Sequence, residues 1–124
     1  MKKPVSPKTL GSLRTDATEQ AYKEKNATRS TDTSCVFCQE KPIKVFDYWQ
    51  IVPNKFPYDR IAEIHDMIYP IRHTDGNDLT TAELAELTAL KQGYLNEQYQ
   101  IIIESLPRAK SIPRHFHLQL LLLS

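Results

Sequence analysis

From Arg114 to Leu120 a polar residue alternates with a large apolar one at every step. A β-strand sends successive side chains to opposite faces, so this alternation predicts a strand with His115, His117 and Gln119 on one side. Phe116, Leu118, Leu120 and Leu122 then point into a core, and like-facing neighbours stand ~7 Å apart. Upstream, Lys44 to Pro53 contains Val45, Phe46, Tyr48, Trp49, Ile51 and Val52, a β-rich set in which Asp47 marks a turn between two short strands. Asn54 to Asp59 collects Pro57 and several turn formers and reads as a loop. Strand character returns from Ile61 through Ile64, Met67, Ile68, Tyr69 and Ile71, with Pro70 near the strand end where proline is tolerated.

Thr74 to Asp78 is a turn cluster. Behind it, Thr80-x-x-Glu83 has the form of a capping box, flanked by Leu79 and Leu84 at the spacing of a hydrophobic staple. Leu84, Leu87, Leu90, Tyr94 and Leu95 continue at helical spacing and predict a helix that covers one face of a sheet and fades near Asn96. Ile101-Ile102-Ile103 is too short and too β-branched for a second helix and predicts a buried strand, joined to the histidine strand by Ser105 to Pro113. Met1 to Ser34 is rich in Lys, Thr, Ser, Asn and Asp without a sustained amphipathic period, so residues 1–34 are expected to form a flexible, loosely attached tail with a transient helix from Thr18 to Lys25. The expected architecture is α+β: an antiparallel sheet packed on one long helix, occupying residues 35–124.

A length of 124 residues suits one domain with a real core. A net charge of +1 and a pI near 7.8 leave no global field to recruit nucleic acid or anionic lipid, which favours a small-molecule partner. No apolar run approaches the ~20 residues that span a bilayer, and the N-terminal lysines lack the apolar segment of a secretory signal, so the expected compartment is the cytoplasm. There the two cysteines, Cys35 and Cys38, are expected to be a metal half-site or redox pair rather than a structural disulfide.

Tetrahedral zinc would need two ligands beyond Cys35 and Cys38, and the chain offers His65, His73, His115 and His117. A redox dithiol or two buried thiols are the other readings of the pair. Two histidines on one strand face are an unusual way to build a plain core. His117 is a candidate nucleophile or general base, because a neutral imidazole nitrogen is available near pH 7 and covalent catalysis divides one hard displacement into two easier ones. Gln119 transfers no proton at neutral pH, but it can orient a phosphoryl oxygen or the modified histidine by hydrogen bonding.

Residues 35 to 122 resemble the histidine triad (HIT) superfamily. The resemblance rests on three pieces in order: Cys35-x-x-Cys38; the stretch His65-Asp66-Met67-Ile68-Tyr69-Pro70-Ile71-Arg72-His73; and His115-Phe116-His117-Leu118-Gln119-Leu120-Leu121, similar to the family signature with Gln in the third His position. The resemblance implies a HIT-like fold and a zinc ion held by Cys35, Cys38, His73 and His115, as in metal-containing members. It implies that His117 is the nucleophile that attacks the α-phosphorus of a nucleotide to form a nucleotidyl-histidine. Gln119 matches the glutamine of the transferase branch, which includes galactose-1-phosphate uridylyltransferase and dinucleoside tetraphosphate phosphorylase. Asn54 falls where members contact the ribose, and the related fold often pairs as a homodimer.

The chain departs from that pattern where members commonly carry Gly-x-Ser to cradle phosphate. It has Ala109-Lys110-Ser111-Ile112-Pro113 instead, with Ser111 and the charge of Lys110, Arg108 or Arg114 left to hold the anion. Members often continue past the signature with a segment that helps form the dimer or select the substrate, and with the last residue at Ser124 the chain is expected to do without that segment or to borrow a partner. Without a proton donor at Gln119, attack by His117 suits a leaving group that is already a weak base. The expected function is therefore nucleotidyl transfer or hydrolysis on a nucleoside polyphosphate or nucleotide sugar. The alternative is a catalytically inactive, zinc-stabilised nucleotide-binding or interaction module, which the missing glycine and short C-terminus favour. A redox dithiol protein is a third reading, and it leaves the histidine strand without a role.

Overall fold

The computed structural model describes residues 13–28, 35–106 and 115–124. Helix α1 (Asp16–Thr28) is followed by a one-turn helix α2 (Val36–Gln39), then strands β1 (Lys44–Val45), β2 (Trp49–Pro53) and β3 (Ala62–Pro70). Helices α3 (Thr81–Gln92) and α4 (Tyr94–Gln98) come next, and strands β4 (Ile101–Ile103) and β5 (Leu118–Leu123) complete the chain. The strands form one sheet in the order β1-β2-β3-β5-β4, and every pairing is antiparallel. The architecture is the α+β arrangement expected from the hydrophobic pattern.

The sheet buries both faces, but with different chemistry. One face sets Trp49, Ile51, Ile68, Leu118 and Leu120 against Leu87, Leu90 and Leu95 of the helices. Full burial of each such side chain contributes about 1.5–3 kcal/mol before entropy is counted. The other face carries Val52 and Tyr69, covered by Phe37 of α2 and flanked by Met67 and Cys35. The second face also holds the polar side chains discussed below.

The helix starts where the sequence places it. Thr80 accepts from the Glu83 N–H at 3.1 Å, and the Glu83 carboxylate accepts from the Thr80 N–H at 2.8 Å, completing the capping box. Arg72 binds the same carboxylate at 2.8 Å, so Glu83 is buried as an ion pair. The Trp49 indole N–H donates to the Glu83 carbonyl at 2.8 Å and bolts this helix end to β2. The buried stripe is Glu83, Leu87 and Leu90. Leu84, expected on that stripe, is 49% exposed, because the Glu83 side chain takes the inward position and turns its neighbour away. The expected single helix is broken at Gly93 into α3 and α4.

Three further expectations change. Among the described residues Ile101–Ile103 is an edge strand rather than a buried one: it pairs with β5 on one side, and Ile101 is 40% exposed. Strand β5 begins at Leu118 instead of Arg114, because the ladder with β3 ends at the Ile68–Leu118 pair. Before it, Phe116 leaves the sheet and donates its N–H to the Thr74 carbonyl at 2.7 Å. Within the segment read as a loose tail, Leu13 to Thr28 is attached to the domain: α1 extends the expected Thr18–Lys25 helix, and its first turn is hydrogen-bonded to Asp59.

Candidate functional site

Cys35, Cys38, His73 and His115 come together at the end of the sheet, with one donor atom from each lying within 4.8 Å of all the others. Cys35 Sγ is 3.1 Å from His115 Nδ1, Cys38 Sγ is 3.3 Å from His73 Nδ1, and Cys38 Sγ is 3.8 Å from His115 Nδ1. The four come from the start of α2, the turn after β3 and the approach to β5. The hydrogen bond that orients His115 is on its far side. His115 Nε2 donates to the Pro70 carbonyl at 2.7 Å, so the lone pair is on Nδ1 and faces the sulfurs. Burial also holds His115 below the ordinary imidazole range, which keeps the ring neutral. The Cys38 thiol is pushed upward by burial and by the neighbouring Cys35. A cation beside both sulfurs would favour thiolates, so the donor set, the His115 tautomer and the mutual distances all fit a metal ion.

His117 follows His115 and is also buried. Its Nδ1 donates to the His115 carbonyl at 3.0 Å, which puts the lone pair on Nε2. Phe37 packs beside both rings, with centroids 5.0 Å from His117 and 5.5 Å from His115. It stacks on Tyr69 at 4.5 Å, and its carbonyl accepts from the Tyr69 hydroxyl at 3.2 Å. Phe37 lies between the two cysteines in sequence, so the turn that supplies the thiols also walls the His117 ring. Sequence reading gave Phe37 and Tyr69 no part in the site; the one available signal was a large aromatic inside the Cys-x-x-Cys turn.

Gln119 stands across from Met67 in the β3–β5 ladder and is held by a residue that the sequence reading offered only as a possible metal ligand. His65 accepts from the Tyr58 N–H through Nδ1 at 2.9 Å, so its proton is on Nε2, and Nε2 donates to Gln119 Oε1 at 2.5 Å. Burial carries His65 down to about 4, so the ring is neutral at physiological pH. Asn54 Nδ2 converges on the same oxygen at 3.4 Å, while Asn54 Oδ1 accepts from the Phe56 N–H at 2.8 Å. The 3.3 Å approach of Asn54 Nδ2 to His65 Nε2 is therefore a meeting of two donors on one acceptor. With its carbonyl oxygen taken by both, Gln119 has its amide N–H groups to offer a ligand.

Sequence-level candidates thus divide by place. His115, Cys35, Cys38 and His73 form the donor cluster, His117 and Gln119 follow His115 on the same chain segment, and Asn54 lies against Gln119. Ser111 and Arg114, the phosphate-binding candidates, lie outside the described residues, as do Arg108 and Lys110. No helix among the described residues is long and apolar enough to cross a membrane.

No family model matches the chain, and no curated protein matches it either. Among solved structures the fold is similar to a histidine triad protein from Clostridium difficile, with a TM-score of 0.49 and 17% identity over 76% of this chain and 93% of that one. It is also similar to a histidine triad nucleotide-binding protein from Candida albicans, with a TM-score of 0.47 and 20% identity over 70% of this chain and 73% of that one.

Proposed function

We propose that this chain is a zinc-stabilised, HIT-like nucleotidyl transferase or hydrolase that works through a covalent nucleotidyl-histidine on His117. The observation that carries the reading is the tautomer of His117. Its Nδ1–H is spent on the His115 carbonyl, so the nucleophilic lone pair is on Nε2, beside a glutamine whose remaining groups are donors. In the first step the Nε2 lone pair forms a bond to the α-phosphorus of a nucleoside polyphosphate or nucleotide sugar. The bond from phosphorus to the leaving phosphate oxygen breaks, and the leaving group carries off the electron pair. Water, which gives up a proton to solvent, or a second phosphate then attacks the same phosphorus; the Nε2–phosphorus bond breaks and its electron pair returns to His117. Gln119 donates to a phosphoryl oxygen as negative charge builds there.

Cys35, Cys38, His73 and His115 would hold zinc, which when bound supplies a structural cross-link rather than a reacting group. By tying α2 to the sheet, those four residues keep Phe37 against the His117 ring. Gln119 provides no acid for a basic leaving group, which supports phosphate or polyphosphate over an amine or alkoxide.

The test is incubation of the zinc-loaded protein with a panel of radiolabelled nucleoside polyphosphates and nucleotide sugars. We expect an acid-labile, base-stable label that is lost in His117→Ala, with the leaving phosphate released in equal amount. Nucleotide binding without any label would replace this reading with that of a catalytically inactive nucleotide-binding module.

A further inference from the structure

Helix α1 lies outside the sheet, and the chemistry above makes no use of it. Its first turn is nonetheless fastened to the loop between β2 and β3, the loop that carries Asn54 and Tyr58. Asp59 accepts from the Thr15 N–H at 2.8 Å and from the Thr15 and Thr18 hydroxyls at 3.2 and 2.5 Å. Arg60 reaches back to Asp16 at 3.2 Å and to the Arg14 carbonyl at 3.2 Å. Between these ties is Arg14. Its Nε donates to the Phe56 carbonyl at 2.6 Å, and its guanidinium stands 4.0 Å from the Tyr22 ring centroid and 5.0 Å from that of Tyr58. The Arg14 side chain is only 12% exposed and also pairs with Glu19.

From there the path to the site is short. The Tyr58 ring centroid is 4.3 Å from that of His65, and the Tyr58 N–H is the donor that selects the His65 tautomer. That tautomer in turn orients the Gln119 amide. A planar guanidinium that binds a backbone carbonyl and packs against two rings fixes a loop in a way that a single charge does not.

We propose that Arg14 is a positioning residue for the His117 site. By clamping Phe56 and Tyr58 it holds the Tyr58 N–H on His65 Nδ1, and so keeps the Gln119 amide donors turned toward the phosphoryl group. The idea rests on the proposed function for its catalytic consequence, but its structural half stands apart from that reading. An Arg14 that only added stability would leave the His65 tautomer unchanged when removed.

The experiment compares the full chain with Arg14→Ala, reading the His65 ring nitrogens by 15N NMR alongside the single-turnover rate of His117 labelling and the nucleotide Kd. Wild type is expected to show one His65 tautomer, protonated on Nε2. In Arg14→Ala a mixture of tautomers is expected, with the labelling rate lower by about tenfold, the scale of a small misplacement of a reacting group, and Kd changed by less than about twofold. Arg14→Lys, which keeps the charge but loses the planar fork that binds the Phe56 carbonyl and packs on the two rings, gives the same readouts should Arg14→Ala fail to fold, and the same direction of shift is expected. A variant that melts earlier while keeping a single tautomer and the wild-type labelling rate overturns the proposal. Should wild type itself never label, the proposed function fails, and the His65 spectrum alone still decides whether Arg14 positions this histidine.

Discussion

His65 shows how one buried ring can couple the site to pH. Its folded value of about 4 is below the ordinary 6.5, because burial disfavours the imidazolium. The neutral ring is therefore the form the fold prefers. The stability it contributes is whole above pH 6.5 and is lost as pH falls toward 4, on the order of 2–3 kcal/mol in all. His115 is shifted in the same direction and adds to the slope. Urea titrations across that window should show wild type losing stability on acidification, whereas His65→Gln should be less stable at neutral pH and have a flatter pH dependence. An unchanged slope in His65→Gln would place the titrating group elsewhere.

The turn between β3 and α3 has a second task beyond reversing the chain. Gly76 sits at φ +96°, and a Cβ there would lie 2.5 Å from Phe116 Cδ1. Phe116 packs on Trp49 with ring centroids 6.1 Å apart and bonds to Thr74, so this turn guides the chain between His115 and His117. Gly76→Ala should cost about 2 kcal/mol, from an unfavourable φ together with the clash on Phe116. In a double-mutant cycle, pairing it with Phe116→Ala, which removes Cγ and Cδ1, should recover most of the steric share and leave the backbone share, giving a coupling above about 0.5 kcal/mol. Strict additivity would show that only the backbone conformation matters. The composition of Thr74 to Asp78 announces a turn, but its docking on Phe116 depends on a residue forty positions away.

Across the whole molecule, the Cys2His2 cluster joins three distant parts of the chain: the start of α2, the turn after β3 and the approach to β5. A zinc ion there would close long loops, and its binding energy would become folding energy. Metal analysis of the purified protein should find one zinc per chain, with Cys35→Ser losing it. Chelation should cost several kcal/mol, which for a domain of this size is about 10 °C or more in Tm. A protein whose Tm is indifferent to chelator and to Cys35→Ser would reduce the cluster to two thiols beside two imidazoles.

What the sequence determined by itself is what short-range periodicity encodes. β-rich composition placed β2 and β3, alternation placed much of β5, and the capping box placed the start of α3, while Cys35-x-x-Cys38 announced a possible metal half-site whose partners His73 and His115 were named only by the family resemblance. These signals are local, because strand faces and helix caps depend on residues two to four apart. The tertiary structure alone decided the contacts made over long separations. It turned Leu84 outward because Glu83 takes the inward position with Arg72, exposed Ile101 because β4 is an edge, and docked α1 through Asp59. It also set Phe37 beside His117 and gave His65 its place on Gln119. A histidine's role depends on which nitrogen holds the proton, and here that is settled by a carbonyl of Pro70, a carbonyl of His115 and an N–H of Tyr58, partners that no pattern of side chains along the chain can specify.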